Sequence, residues 1–502
     1  MTLFVHRATS TKVLADGLAE LLATPLEDPF AEEVVAVPAK GVERWLAQRL
    51  SHRLGAGPGA GDGVCAGVRF LNPHSLVALV LGIERDDPWH PEKLAWPVLR
   101  AIDESLEEDW AAPLAVHLGT RSTDDETEAE LRRGRRYAVA RRLAGILASY
   151  ADQRPSLVTD WRAGGAGDGL GGELPDDLTW QPHLWRKVLE LVDAEPPDVR
   201  HDRVVAALRG GAEPTGLELP GRLSLFGHTR IARSEVSVLD AIAQHRDVHL
   251  WLPQASPAAW DRLRDVVAEG PVVRAEDHSA VVVEHPLLAS LGRDMRELQR
   301  TLAPAGAVDR PLGQLLAQPA STGPTTLLGW LQDDLRRDHV PDAEEVAARV
   351  LASNDQSVQV HACHGRGRQV QVLRDVLSGL LEDRPDLEPR DILVMCPDID
   401  AYAPLVHAGF GLGEVVRDSD AHPAHGLRVM LADRAPRHTN PLLALAARLV
   451  ELAGSRLTTS EVLDLARSAP VRRRFGPDDD ALDRRGGWVD EVAVRWGLDA
   501  EH

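Results

Sequence analysis

Phosphate chemistry is the first possibility the sequence decides, because it needs a lysine in a fixed setting. A P-loop requires Gly-Lys-Ser/Thr, the glycine letting backbone N–H groups close around a phosphate while the lysine reaches it. The lysines are Lys12, Lys40, Lys93 and Lys187, preceded by Thr11, Ala39, Glu92 and Arg186. No ATP site of that kind exists in this chain, and ATP hydrolysis by it is not expected. Lys40 stands in another setting. The turn Val37-Pro-Ala-Lys-Gly41 joins an apolar run to a helical pattern, with Arg44 one turn further on. Helix N-terminal N–H groups beside two cations suit a phosphate or a DNA backbone. An ordinary strand-to-helix turn of a wound sheet reads the same way, and the sequence leaves both open.

Other clusters are weaker. His361-Ala-Cys-His364 offers metal-ligating side chains, but zinc needs three or four ligands and no second cluster accompanies it. The pairs Asp103-Glu104 and Asp490-Glu491 resemble the carboxylates of an ATPase metal site, yet both lie in helical surroundings and read as solvated charges. Arg132-Arg133, Arg135-Arg136 and Arg141-Arg142 can track a nucleic-acid strand, or can pair with the acidic run Asp124 to Glu130 beside them. Neither GxSxG nor HExxH occurs. The sequence carries no catalytic motif.

The elements that must position these residues alternate. Leu3 to His6 reads as a strand, Lys12 to Ala23 as a helix and Glu33 to Val37 as a buried strand. Val42 to Leu54 reads as a helix whose stripe Val42, Trp45, Leu46, Leu50 turns Arg44 outward. A Gly-rich loop spans Gly55 to Gly63, and Val68 to Leu71 is a strand ending at Asn72-Pro73. From about Pro91 to Ala207 the pattern is helical, with a flexible insert expected at Gly164 to Gly172. Strands return at Arg222 to Gly227 and Asp247 to Pro253 around a helix at Ser234 to Ala243, which argues for a parallel wound sheet. Pro304 to Asp342 reads as an acidic linker with a short helix. A second α/β unit is expected from strands at Ser357 to Cys363, Asp391 to Cys396 and Leu427 to Leu431, with a helix at Gln369 to Leu381. It lacks a closing strand before His502.

At 502 residues the chain can hold several domains, and no apolar run approaches the length of a membrane span. Cys65, Cys363 and Cys396 form no CxxC pair, and a reducing cytoplasm is the expected location. A net charge of −21 opposes non-specific coating of nucleic acid, so any DNA contact must be local or enclosed.

Several segments together resemble the RecC family, the gamma subunits of exodeoxyribonuclease V. They are Leu26-Glu-Asp-Pro-Phe30, Gly41-Val-Glu-Arg-Trp-Leu46, Trp180-Gln-Pro-His-Leu-Trp185, Pro286 to Ser290 with Gly292-Arg293-Asp294, His361 to His364, Pro389 to Met395 and Asp398 to Pro404. Leu431 to Arg434, Asn440 to Leu443 and Val494 to Leu498 keep the same register.

The resemblance implies an α/β fold: two degenerate superfamily 1 helicase-like (RecA-like) parallel-sheet domains with inserted helical subdomains. It divides the chain into 1–90, the first part of domain 1; 91–207, an inserted helical subdomain; 208–342, the rest of domain 1 with its linker; 343–435, an inactive domain 2; and 436–502, the truncated start of a second helical subdomain. It further implies a non-catalytic subunit, an N-terminal portion of a longer protein, that guides unwound single strands and scans them for a Chi-like sequence. RecB-like and RecD-like partners would use ATP and Mg, this chain would hold no cofactor or metal, and single-stranded and duplex-end DNA would be bound without any membrane. The DNA-binding residues it implies are Lys40, Gly41, Arg44, Asn72, Ser149 and Arg154, and Arg200 and Arg203 are expected to line the same channel. Better-known members carry uncharged amide or hydroxyl groups where this chain has Lys40 and Arg44, and acidic groups where it has Gly145 and Ala148, so phosphate contact is expected to replace base reading. The alternative is the N-terminal part of a catalytic AddB-like helicase/nuclease subunit.

Overall fold

The computed structural model describes all residues except 29, 55–62, 84–86, 122–131, 133, 212–220, 313–322, 411–425, 432–439, 454–456, 477, 494 and 496–502. The acidic run Asp124 to Glu130, Arg133, most of the Gly55 to Gly63 loop, Ala432 to Arg434 and Trp496 therefore lie outside the described residues. The chain divides into two units, Met1–Val358 and Gln359–His502.

The first unit is built on six parallel strands: β1 (Leu3–Ala8), β2 (Glu33–Ala36), β3 (Val68–Leu71), β4 (Arg222–Phe226), β5 (Asp247–Pro253) and β6 (Val308–Pro311), in the order β3-β2-β4-β5-β1-β6. Parallel strands inside a wound sheet are covered on both faces, so the central strands read as mainly apolar runs rather than alternating ones. Val34, Ala36, Leu223, Leu225, Val248 and Leu250 enter one core with Val236, Leu239 and Ile242. Val35, Phe226 and Trp251 enter the other with Leu14, Leu18, Leu46 and Leu50, contributed by helices α1 (Thr11–Leu22) and α2 (Lys40–Ser51). A Cβ on Gly17 of α1 would meet the Trp251 ring at 2.9 Å, which is why that position has no side chain.

The helical pattern after Pro91 forms an insertion: α3 (Pro73–Val80) leads into α4 (Pro91–Ser105), α5 (Ala112–His117), α6 (Arg136–Gln153), α7 (Pro155–Arg162), α8 (Trp180–Leu191) and α9 (Pro197–Arg209). Its core gathers Leu94, Val98, Ile102, Leu147, Trp161, Trp185 and Val188. The insertion docks on α10 (Arg233–Ala243), where the His201 ring lies 3.1 Å from the Ser234 carbonyl. Helices α11 (Pro257–Val267), α12 (Ser279–Val282), α13 (Pro286–Leu291) and α14 (Arg293–Leu302) complete the unit with α15 (Leu327–Arg337).

The structure corrects three expectations. Gly164 to Gly172 is a tied loop rather than a flexible insert: Trp161 Nε1 donates to the Gly167 carbonyl, and Asp168 Oδ1 accepts from the N–H groups of Leu170 and Gly172. The stretch read as a linker supplies β6, held against β1 by Arg7, whose guanidinium makes two bonds to Asp309 at 2.6 and 2.7 Å. The short helix expected in the same stretch is present as α15, clamped by Ser256 Oγ donating to the Arg336 carbonyl.

Among the described residues, finally, the second sheet does not form. Asp355 and Ser357 accept from the N–H groups of Leu327 and Leu328 at the start of α15 instead of opening a strand. Leu393 and Met395 stand 84% and 88% exposed. An apolar run marks strand propensity, but a strand exists only when a neighbour pairs its backbone and layers cover both faces. The helix expected at Gln369 to Leu381 is present as Gly365–Asp383.

Candidate nucleic-acid interface

All strands of the sheet end at one edge. At that edge α2 starts at Lys40, two residues before the expected start, so Lys40 and Gly41 form its first turn. Lys40 is 81% exposed and its Nζ lies 2.8 Å from Glu43 Oε2. Arg44 is exposed, with no hydrogen bond or ion pair among the described residues. A Cβ on Gly41 would meet nothing, so its surface is open. Asn72, at the end of neighbouring β3, caps α3 by accepting from the Ser75 N–H at 2.6 Å. The Asn-Pro pair signals that cap directly.

Ser149 and Arg154 line a cleft of about 730 Å³ elsewhere on this unit. Its other walls are the β4–α10 connection with Arg230 and Arg233, the segment around Arg274 and Asp277, and the face of α14 bearing Arg293, Arg296 and Arg300. Seven arginines converge there against Asp277 and Glu297. Arg296 and Arg300 are buried and fixed in place. Arg296 donates to the Leu288 carbonyl at 2.8 Å, Arg300 to the Gly270 carbonyl at 3.1 Å and to Asp277 at 2.9 Å. Burial would push the Asp277 carboxyl up, but hydrogen bonds from Ser279 and Arg300 outweigh it and hold Asp277 below the usual carboxylate range. Arg230 pairs with Asp294 and Arg293 with Glu297. The side chains of Arg154, Arg233 and Arg274 have no such partner among the described residues.

The turn and the cleft adjoin. A Cβ on Gly227, at the end of β4, would lie 3.9 Å from Pro38 Cδ and 3.8 Å from Val42 Cγ1. Arg230 follows three residues later, at most about 11 Å of chain. Between them His228 is buried with neither ring nitrogen partnered, and burial pulls its pKa down to about 4.

Arg200 and Arg203 face elsewhere. Arg200 is tied to Asp87 through Nη2 at 2.8 Å and lines a second cavity of about 630 Å³ with Ala148, Ala151 and Asp152 of α6. Arg203 pairs twice with Glu195, at 2.9 and 3.0 Å. The arginines after β4 and on α14 were absent from the sequence-based candidates. A signal existed in the spacing Arg293, Arg296, Arg300, which shares one helix face, but Asp294 and Glu297 interleave with it, and such a pattern fits a self-paired solvated helix equally well.

The carboxylates and histidines singled out elsewhere in the sequence have these neighbours. Asp103 pairs with Arg136, and Glu104 with Arg100 and Lys187. The His361 ring contacts Gln359 at 3.0 Å, and no group of three metal-ligating side chains occurs among the described residues. No described helix is long and apolar enough to cross a membrane.

A wound α/β unit with a helical insertion, no P-loop and an arginine-lined cleft at the strand ends is the class the fold defines. Residues 3–338 match the RecC N-terminal domain and residues 439–502 the RecBCD enzyme subunit RecC fourth domain. The chain belongs to the RecC family. It is 57% identical over 503 residues to the RecBCD enzyme subunit RecC of Mycobacterium tuberculosis H37Rv, covering all of this chain and 44% of that protein. It is 55% identical to that of Mycolicibacterium smegmatis, again over the whole chain and 44% of the relative, and 26% identical to that of Escherichia coli K12 over 95% of this chain and 43% of the relative. The chain thus spans less than half the length of these curated relatives. The AddB-like alternative gains nothing from these matches.

Proposed function

We propose that this chain is part of a non-catalytic, DNA-guiding subunit of a RecBCD-type helicase/exonuclease in double-strand break repair by homologous recombination, working in the cytoplasm. RecB-like and RecD-like subunits supply ATP hydrolysis with Mg, and this chain leads an unwound single strand along the sheet edge. The observation that carries this reading is the arginine-lined cleft of about 730 Å³, lined by three guanidiniums that have no partner among the described residues, one wall of which starts at Arg230, three residues after the Gly227 that packs on the Lys40 turn. Arg154, Arg233 and Arg274, whose side chains have no such partner among the described residues, can donate to two phosphate oxygens at once, and phosphate contacts position a strand without reading its bases. Lys40 and Arg44 add cations of the same kind, so scanning for a Chi-like sequence discriminates weakly at this turn. The non-catalytic role rests on the four lysines, none preceded by glycine, and on β4 running into Gly227-His228 with no Asp-Glu pair.

The test is fluorescence anisotropy of a labelled single-stranded oligonucleotide with the reconstituted full-length complex carrying Arg233→Ala and Arg274→Ala. Affinity should fall by about 1–3 kcal/mol, and the slope of log K against log salt should flatten by about 1.4 for two lost phosphate contacts. Unchanged affinity and slope would remove the cleft from the DNA path.

A further inference from the structure

Trp89, Trp161, Trp185, Trp251 and Trp260 are all buried, whereas Trp96 on α4 is 61% exposed. Beside it stands Tyr137 on α6, 45% exposed, with ring centroids 5.1 Å apart and planes inclined by 41°. Neither ring is needed by the insertion's core, which closes beneath them on Leu94, Val98 and Ala140. The two helices run antiparallel: Arg136 at the start of α6 reaches Asp103 near the end of α4, while Ala148 and Ala151 share a cavity with Pro91 and Leu94. The order of the surrounding cations follows. Arg100 and Arg136 lie toward one end of the ring pair, and Lys93 and Arg141, each one turn from a ring, toward the other. Arg100 is steadied by Glu104 at 2.7 Å and Arg136 by Asp103 at 3.0 Å. Arg141 is exposed with no ion pair among the described residues.

We propose that Trp96 and Tyr137 form a stacking platform for an unpaired base of a single-stranded nucleic acid, whose phosphates are met by Arg141 and its neighbouring cations. The proposal rests on the DNA-guiding reading above and assigns it a second contact, on the helical insertion. Flat aromatic faces accept any base, and flanking cations hold the backbone, the combination that sequence-tolerant single-strand binding uses. Charge complementarity selects this occupant. In a chain of net charge −21, cations on both sides of an exposed aromatic pair favour a polyanion that also carries flat apolar faces. The arginine pairs at Arg135-Arg136 and Arg141-Arg142 thereby gain a role that the cleft does not give them.

The experiment compares two labelled oligonucleotides of equal length, one with bases and one with a central abasic tract, on the full-length complex. Trp96→Ala should weaken binding of the base-carrying strand about five- to tenfold and leave the abasic strand unchanged, and Trp96→Phe should restore most of the affinity. Unchanged affinity for the base-carrying strand in Trp96→Ala, or an equal loss on both strands, overturns the platform. Dissociation of a partner subunit from Trp96→Ala with DNA affinity intact also overturns it and makes the surface a protein-docking site. Arg233→Ala with Arg274→Ala should weaken both strands alike. If that pair matters while Trp96→Ala does not, only the platform fails; if neither matters, the DNA-guiding reading fails with it.

Discussion

The turn that opens α2 and the cleft beside α14 belong to helices packed on opposite faces of the sheet, and they hold their cations differently. At the turn, Lys40 extends into solvent with Glu43 as its partner and Arg44 extends with none. In the cleft, Arg296 and Arg300 are buried and locked onto the carbonyls of Leu288 and Gly270, and Asp277 fixes Arg300 further. An exposed cation is screened by salt and loses rotamer freedom when it meets a phosphate. A locked guanidinium has lost that freedom on folding, so little more is lost on binding. Counting charges would rank the two regions by number alone, whereas their packing ranks them by preorganisation.

Acid should separate them most. His6, His249 and His228 lie in or at the end of strands that both regions rest on, each with its pKa brought to about 4. Burial is the main cause in all three; His249 and Arg310 add to it at His6, and Asp247 partly opposes it at His249. In the unfolded chain these rings titrate near 6.5. As pH falls from about 6.5 to 4, the unfolded state takes up protons that the folded state refuses, so stability drops across that window and levels off below it. Asp277, held below its usual range, keeps the cleft's charge constant meanwhile. Thermal melts should therefore show a falling Tm from pH 7 to pH 4.5, with cleft-dependent DNA binding retained until unfolding begins. A flat Tm would mean that the three imidazoles are not sealed from water.

A smaller effect is expected from Arg300→Ala, which leaves the Gly270 carbonyl without its donor and Asp277 with Ser279 alone. It should destabilise the protein by about 2–3 kcal/mol in denaturant titration, while Lys40→Ala stays within about 0.5 kcal/mol. Comparable losses would erase the distinction between locked and exposed cations. Smallest is the effect of Lys40→Ala with Arg44→Ala on single-strand affinity, about twofold to fivefold and below that of the Arg233 and Arg274 pair, because a cleft lined by seven arginines focuses its field on a strand while the turn's two cations stand in open solvent. A larger loss from the turn, read by the same anisotropy titration, would invert the comparison and make the turn the principal contact.

Legibility in the sequence followed the range of the interactions involved. The strands at Glu33, Val68, Arg222 and Asp247 were readable because their runs are mainly apolar, and the Asn72-Pro73 cap because it acts within three residues. Strand β6 was not, since Val308-Asp-Arg-Pro311 is half charged and becomes a strand only through β1 and the Arg7–Asp309 pair, 302 residues apart in sequence. Ser357 to Cys363 failed in the opposite sense: the run has strand composition, but Ser357 is engaged at the start of α15. Of the candidate site, Ser149 and Arg154 were found through family resemblance, while Arg233 and Arg274 carry no local mark.

The sequence by itself determined the absence of a Gly-Lys-Ser/Thr phosphate loop, the wound α/β pattern of the first unit and the family, because each depends on residue identity at short spacing. Only the tertiary structure decided which arginines act together. Guanidiniums from the end of α6, the β4–α10 connection, the segment at Arg274 and α14 converge across some 150 residues of chain. Only packing sets which of them are consumed by carbonyls and carboxylates and which three remain directed into the cleft. A cation's availability is a property of its neighbours in space, which the order of residues does not state.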